Sequence, residues 1–339
     1  MNTEFWAISF PAPGSAIRTA QRIEAEGWDG LLFTDSQHHN ADVYQALAVA
    51  ATVTEKIGLG TGVTNPVTRN AAVTAAAIAS LQVQSNGRAV LGIGRGDSSL
   101  GHLGLKPAPV AVLEDYLIKV QGYLRGEAVV QNDHAAHLKW LPEDQPKVPV
   151  DVAATGPRVS ALAGRIADWV TFAVGADPER LLRNTALARN ARSEAGEDPD
   201  TLKVGAYLNI SAHPDVAVAR RVVRGSVGTM AHFSSMPGSP LDEVRPEDRE
   251  VIRHLGENYD LQKHGDVGAR HLARVDDAFI DRIAIVDTPA RCVERIAGLL
   301  ERVPLQRICI LTGSRGADIT ETREVNQCLA QEVLPKLRG

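Results

Sequence analysis

Short apolar runs rich in β-branched residues recur along the chain, at residues 5–10, 30–34, 57–62, 88–94, 148–154, 168–172, 203–211 and 306–312, and they predict eight strands. Between them, stretches such as 15–27, 43–55, 70–84 and 110–125 place apolar side chains three and four positions apart with polar ones opposite, the spacing of amphipathic helices. Strands that alternate with helices pair in parallel, because each crossover returns the chain to the start of the next strand. Eight such units predict an α/β fold, a (β/α)8 TIM barrel forming one domain over residues 1–339. An open doubly wound sheet carries a G-x-G-x-x-G turn after its first strand, whereas this strand runs into Ser9-Phe10-Pro11-Ala12-Pro13-Gly14.

Two connections exceed the usual length of a βα link. Residues 127–147 have room for a β-hairpin, and residues 228–277 form an insertion after the seventh strand and its helix. That insertion is polar, contains Met236-Pro237-Gly238-Ser239-Pro240 and an acidic stretch at 243–250, and regains helical spacing at 251–259. Its place in the order predicts a lid over the barrel mouth, with a plain surface excursion as the alternative.

Composition removes several function classes. The 339 residues are 44% hydrophobic with a net charge of -5, which supports a globular core and gives no basic footprint for nucleic acid or anionic membrane. No apolar run is long enough to span a bilayer, and no basic-then-apolar leader is visible, so a cytoplasmic protein is expected. Cys292, Cys309 and Cys328 have neither the short spacing nor the neighbouring histidines of a zinc site, so they read as structural thiols and no metal is expected.

In a barrel of this type the residues just after each strand line the active face. The second strand is followed by Thr34-Asp35-Ser36-Gln37-His38-His39-Asn40, more hydrogen-bonding groups than a helix cap requires, although Asp35 or Ser36 alone suits a cap. The third gives Gly60-Thr61-Gly62-Val63-Thr64-Asn65-Pro66, where glycines let a flat ligand approach the main chain. The fourth gives Leu91-Gly92-Ile93-Gly94-Arg95-Gly96-Asp97, whose alternating glycines lack dinucleotide-loop spacing. The fifth gives Ala154-Thr155-Gly156-Pro157-Arg158, in which a first-turn proline leaves backbone N–H groups open to a phosphate and Arg158 adds a forked donor.

Together these strand ends resemble the bacterial-luciferase-like superfamily, in its coenzyme F420-dependent branch related to methylenetetrahydromethanopterin reductase. GTGVTNPVTR at 60–69 carries most of the resemblance, supported by LGIGRGD at 91–97, ATGPR at 154–158 and DAFIDRIAIVDTPARCVERI at 277–296. The resemblance implies a cis peptide at Gly62-Val63 bulging under the ring of an 8-hydroxy-5-deazaflavin. It further implies that Asp35, Ser36, Thr64, Asn65 and Asp97 surround the ring, with Gly94 and Gly96 beside it. Ala154 to Arg158, with Val174 and Gly175, would then hold the phosphate-bearing tail. One departure stands out: several members place a histidine directly after the strand-two aspartate, where this chain has Ser36, with His38 and His39 following as candidates for that role.

The resemblance implies hydride transfer between the deazaflavin and an unsaturated or carbonyl substrate. An FMN-dependent monooxygenase is the alternative within enzymes, and a non-catalytic flavin-type binding protein the alternative outside them. The small-molecule substrate would be met by His232, Phe233, Met236 and His264 of the insertion. A homodimer is expected through the small-sided apolar surface of residues 70–81.

Overall fold

The computed structural model describes residues 3–236 and 238–338, and in it the predicted strands close on themselves. The strands are β1 (Glu4–Ser9), β2 (Gly30–Phe33), β3 (Gly58–Thr61), β4 (Ala89–Ile93), β5 (Val129–Gln131), β6 (His134–Ala136), β7 (Val150–Ala154), β8 (Trp169–Phe172), β9 (Lys203–Ala212), β10 (Ile285–Asp287) and β11 (Arg307–Leu311). Around the barrel the order is β1-β2-β3-β4-β7-β8-β9-β11, every pair is parallel, and β11 returns to β1. This is a (β/α)8 barrel. The hairpin expected between 127 and 147 is β5–β6, turned by Asn132 and Asp133 at φ 49° and 63°.

Three boundaries differ from the sequence pattern, each for a local reason. The helix expected over 43–55 is Val43–Ala51, because the Thr52 and Thr54 hydroxyls take the carbonyls of Val49 and Ala50 at 2.7 and 2.8 Å. The insertion begins later than residue 228, since helix Val216–Phe233 keeps burying Met230 and Ala231 on its inner face. Pro237, within the insertion, lies outside the described residues. Finally, β10 was not anticipated: β9 is ten residues long and outruns the barrel, and its free edge at Ile210–Ala212 takes Ile285–Asp287 as a short parallel partner.

The barrel interior is plugged at its amino-terminal end. The Trp6 indole lies over Gly30 and Gly58, where a Cβ would fall 2.2 and 2.3 Å from the ring. Arg307 is held between Trp6 and Trp169, with its guanidinium carbon 4.1 and 3.8 Å from the ring centres. Its charge is met by Glu4 at 3.1 Å and by buried Asp151 at 3.5 Å, which also accepts from the Thr171 hydroxyl. The main core lies outside this plug, between the strands' outward faces and the helices.

The insertion has its own apolar core, in which Val244, Ile252, Leu255 and Leu272 pack on Val227 and Phe279. It is pinned over the mouth at two places. The Leu261 side chain sits where a Cβ on Gly101 would be, 2.2 Å away, and Asp266 bridges to Arg315 beyond β11. Among the described residues no helix is long and apolar enough to cross a membrane.

Helix Pro157–Ile166 packs on helix Pro178–Glu194 so closely that a Cβ on Gly164 would stand 2.0 Å from the Ala188 carbonyl oxygen. This contact sets the helix whose first turn opens on the barrel mouth. Gly164→Val is expected to lower unfolding free energy by about 1–3 kcal/mol, read as a shift in urea midpoint. Gly298, in a helix interior with no atom within 4 Å of its missing Cβ, is the control: Gly298→Ala should raise stability by about 0.5–1 kcal/mol.

Candidate functional site

The barrel floor is filled, and the carboxyl ends of the strands surround a cavity lined by Asp35, Ser36, His39, Gly62, Val63, Gly94, Gly96, Asp97, Thr155, Gly156 and Arg158 among the residues singled out from sequence. The Gly62-Val63 peptide is cis. The Val63 side chain rests on the β4 backbone, which glycines make possible: a Cβ on Gly92 would lie 3.3 Å from Cγ1 of Val63 and one on Gly94 3.2 Å from its Cγ2. Val63 thus forms an apolar shelf in the cavity floor.

Thr64 and Asn65 are buried in the wall instead of facing the cavity. Thr64 donates its hydroxyl to Oδ2 of Asp35 at 2.7 Å, and Asn65 Oδ1 accepts from the Val67 and Thr68 N–H groups while its Nδ2 reaches Ser99 Oγ at 3.2 Å. Asp35 is further fixed by Arg69 at 2.6 Å, and the same guanidinium reaches Asp42, the cap of the following helix, at 2.9 Å. The second- and third-strand loops are therefore clamped together by one buried carboxylate.

At the β7 end, Gly156 caps helix Pro157–Ile166 without a side-chain hydrogen bond, so the first-turn N–H groups have no side-chain cap, and Gly156, Arg158 and Val159 line the cavity. The insertion covers this turn: a Cβ on Gly156 would be 2.9 Å from the Gly238 carbonyl, and one on Gly238 would be 2.8 Å from Nη2 of Arg158. Arg95, whose Nε donates to the Ala108 carbonyl at 2.6 Å, also lines this end, where burial and the nearby Arg158 lower its pKa. Ala154, Pro157, Val174 and Gly175 support the turn without lining the cavity. Ala154 is in the outer core, Pro157 opens the helix, Val174 gives its carbonyl to Arg180 at 3.2 Å, and Gly175 at φ 74° runs against the Ile283 carbonyl.

The loop histidines differ in their placement. His38 is exposed and stacks on His102 at 5.0 Å. His39 lines the cavity, but both ring nitrogens are engaged: Nε2 lies 2.8 Å from His102 Nε2, and Nδ1 accepts from Arg315. Burial, then Arg315 and His102, lower His39 to about 4, so its ring is neutral at neutral pH. Ser36 is buried with its hydroxyl 3.1 Å from that of Ser98.

Asp97 faces two histidines of the insertion side, with Oδ1 3.5 Å from His232 Nε2 and Oδ2 3.7 Å from His264 Nδ1. Burial raises its pKa, but the His232 hydrogen bond, the two histidines and the Ser98 N–H outweigh that and hold it below the usual carboxylate value. Its Oδ2 is buried and makes no hydrogen bond among the described residues. Phe233, Met236 and His264 line the cavity as expected, and His232 stands behind, stacked on Tyr259 at 3.7 Å.

Sequence reasoning overlooked Arg315 and Tyr259. Arg315 follows the eighth strand in Thr312-Gly313-Ser314-Arg315, and the rule applied to the other strand ends selects it equally well. Tyr259 lies in the insertion far from any strand end, and only the fold brings it to His264.

The chain matches the family model described as luciferase-like monooxygenase over residues 4–306. It is 32% identical to the 5,10-methylenetetrahydromethanopterin reductase of Methanolobus tindarius, covering 83% of this chain and 85% of that protein. It is 29% identical to the F420-dependent glucose-6-phosphate dehydrogenase of Microbacterium testaceum, over 78% and 84% of the two chains. Among solved structures, the coenzyme F420-dependent tetrahydromethanopterin reductase of Methanopyrus kandleri superposes with a TM-score of 0.79 at 23% identity, covering 99% of this chain and 100% of that one. A closed parallel barrel with its cavity at the carboxyl ends, matched by this family over most of its length, makes the chain an oxidoreductase of the bacterial luciferase-like family.

Proposed function

We propose that the protein moves a hydride between a deazaflavin of the coenzyme F420 type and a small organic substrate. The observation that carries this reading is that one cavity joins the Val63 shelf, suited to a flat ring, to an anion seat at Gly156 and Arg158. The donor set fits the cofactor's two ends. The shelf is apolar, buried Asp97 Oδ2 is an acceptor lacking a donor, and Arg158 pairs with no carboxylate among the described residues. Similarity to a relative that is itself F420-dependent supports the same choice. When bound, the deazaflavin supplies two-electron hydride chemistry at its C5 carbon.

The chain's own residues bind and orient. Val63, Gly94 and Gly96 meet the ring, while Asp35 and Ser36, with Thr64 and Asn65 behind them, hold the wall at its reacting edge. The first turn of helix Pro157–Ile166 and Arg158 take the phosphate, and Val174 and Gly175 brace that turn. The insertion acts as a cap that keeps bulk water from the reacting atoms. The second reading, an FMN-dependent monooxygenase, rests on the family's own description and predicts oxygen consumption with reduced FMN.

The active form is a homodimer in this reading. Val49, Val73, Val112 and Ile118 are exposed on helices Val43–Ala51, Ala71–Gln84 and Val110–Leu124, which pack side by side, and together they give an apolar face that a second copy would cover.

Three outcomes are expected. Coenzyme F420 fluorescence is quenched on titration with the protein at concentrations where FMN is not; tighter FMN binding with oxygen uptake would favour the monooxygenase. Gly156→Val weakens deazaflavin binding and also lowers the circular dichroism melt, because its Cβ would meet the Gly238 carbonyl at 2.9 Å and push the insertion off the turn, whereas Arg158→Ala loses about 1–3 kcal/mol of binding with the melt close to wild type. Light scattering at micromolar concentration returns twice the 36.3 kDa chain mass, and a monomer there would remove the dimer.

A further inference from the structure

Hydride transfer to or from a carbon bearing oxygen needs a partner for the oxygen's proton, and the strand-two loop does not offer one. His38 is exposed, both nitrogens of His39 are taken, and Asp35 is held by Arg69 and Thr64. Ser36 shares its hydroxyl with Ser98 and has no acidity in the working range. The other histidine that lines the cavity is His264, carried over the mouth by the insertion.

The hydrogen bonds around His264 accommodate an arrangement that leaves Nε2 without a proton. In that arrangement the Thr229 hydroxyl donates back to the Gly225 carbonyl at 3.3 Å and its oxygen accepts from Tyr259, 2.9 Å away. The Tyr259 oxygen then accepts from Nδ1–H of His264 at 3.0 Å. Nδ1–H also faces the unpartnered Oδ2 of Asp97 at 3.7 Å. Nε2 is left with a lone pair and no hydrogen bond among the described residues.

We propose that His264 takes the hydroxyl proton of an alcohol substrate at Nε2, with Tyr259 and Asp97 as its positioning residues, so that the substrate leaves as a carbonyl compound. This rests on the hydride-transfer reading above. The alcohol O–H bond breaks and its proton goes to Nε2; the C–H electron pair leaves carbon as hydride to the deazaflavin; C–O becomes C=O. The substrate is oxidised by two electrons and the deazaflavin is reduced by the same two. Carbonyl reduction runs the same transfers backwards.

The charges facing His264 from each packed element agree with this role. Burial lowers it, Asp97 raises it, and His39, His232 and Arg315 lower it again, to about 4 in balance. The imidazole is therefore neutral and ready to accept at neutral pH, and the ionised Asp97 offsets the charge that appears when it does. Alcohol oxidation should be level from about pH 5 to 8 as far as this group decides, while carbonyl reduction, which needs the imidazolium, should speed up as pH falls.

The test is nitrogen NMR of the full chain with labelled histidine, His264 being assigned by loss of its signals in His264→Gln. At neutral pH, Nδ1 should appear protonated and Nε2 bare, and propan-2-ol at high millimolar concentration should move the Nε2 resonance and leave Nδ1 in place. With any alcohol that reduces the bound deazaflavin, His264→Gln should lower kcat about 10²–10⁴-fold with little change in KM, and imidazole should restore part of the rate to His264→Gly. An Nε2–H tautomer, or an Nε2 signal indifferent to propan-2-ol, overturns the proposal. Absence of deazaflavin quenching overturns the cofactor reading and this proposal together, whereas quenching accompanied by the wrong tautomer overturns this proposal alone.

Discussion

An eight-stranded barrel is just wide enough inside for side chains to fill it, so a cavity at one end depends on a plug at the other. Here the plug is the Arg307 guanidinium held between Trp6 and Trp169. Two indoles fit only because Gly30 and Gly58 present no Cβ to the Trp6 ring. The buried cation is tolerable because Asp151 and Glu4 compensate it and both aromatic faces attract it. With the floor occupied, the strands above it can end in glycines and leave space. A Cβ on Gly92 would fall 2.0 Å from the Thr61 carbonyl, so the close approach of β3 and β4 that lifts Val63 into the mouth requires glycine there.

Arg315 performs a related task at the top. Its side chain holds the ring and carbonyl of His39, while its backbone N–H and C=O pair with Gly265 and Val267 of the insertion. One residue after β11 thus fastens the strand-two loop and the cap to each other. In the strand order, β11 stands four places from β4, directly across the barrel, so Arg315 lies opposite the end where Arg95 and Arg158 gather. The two walls are held by different means. Backbone geometry and glycine shape the wall of β3, β4 and β7, and side-chain clasps among Arg315, His39 and the insertion shape the other.

That difference accounts for what the sequence could reveal. The strands were legible because buried parallel strands are written as compact apolar runs, and the glycine-rich end of β3 and the Gly156 turn were legible because local glycine and proline positions define them, whereas the bulge at Val63 followed from the family resemblance. β10 was not: three residues, Ile285–Asp287, are too few to show a period, and they pair because β9 happens to overrun the barrel. Thr64 and Asn65 looked like ligand-facing polar groups but spend their hydrogen bonds on Asp35 and on a local turn. His39 looked like a free imidazole until Arg315, 276 positions away, was brought to its Nδ1. Contacts of that separation carry no signal in spacing or composition.

The exchange of a histidine for Ser36 fits the same division between walls. A wall built by backbone geometry tolerates little change, because a shift in the shelf or the turn would displace any ligand seated across both. The proton acceptor at the substrate oxygen obeys a looser constraint: one nitrogen lone pair in the cavity and a carboxylate behind its ring. Any loop reaching over the mouth can satisfy it. The strand-two loop here is committed to structure, with Asp35 clamped to Arg69 and His39 to Arg315 and His102. The insertion is fastened through Leu261 and through its backbone pairing with Arg315, contacts that leave Nε2 of His264 unengaged, and its own core gives it the rigidity to hold an imidazole against Asp97. Rigidity in the cap therefore serves the chemistry directly. A loose lid would leave the His264–Asp97 separation variable and let water compete for Nε2, whereas a packed cap fixes the acceptor before substrate arrives.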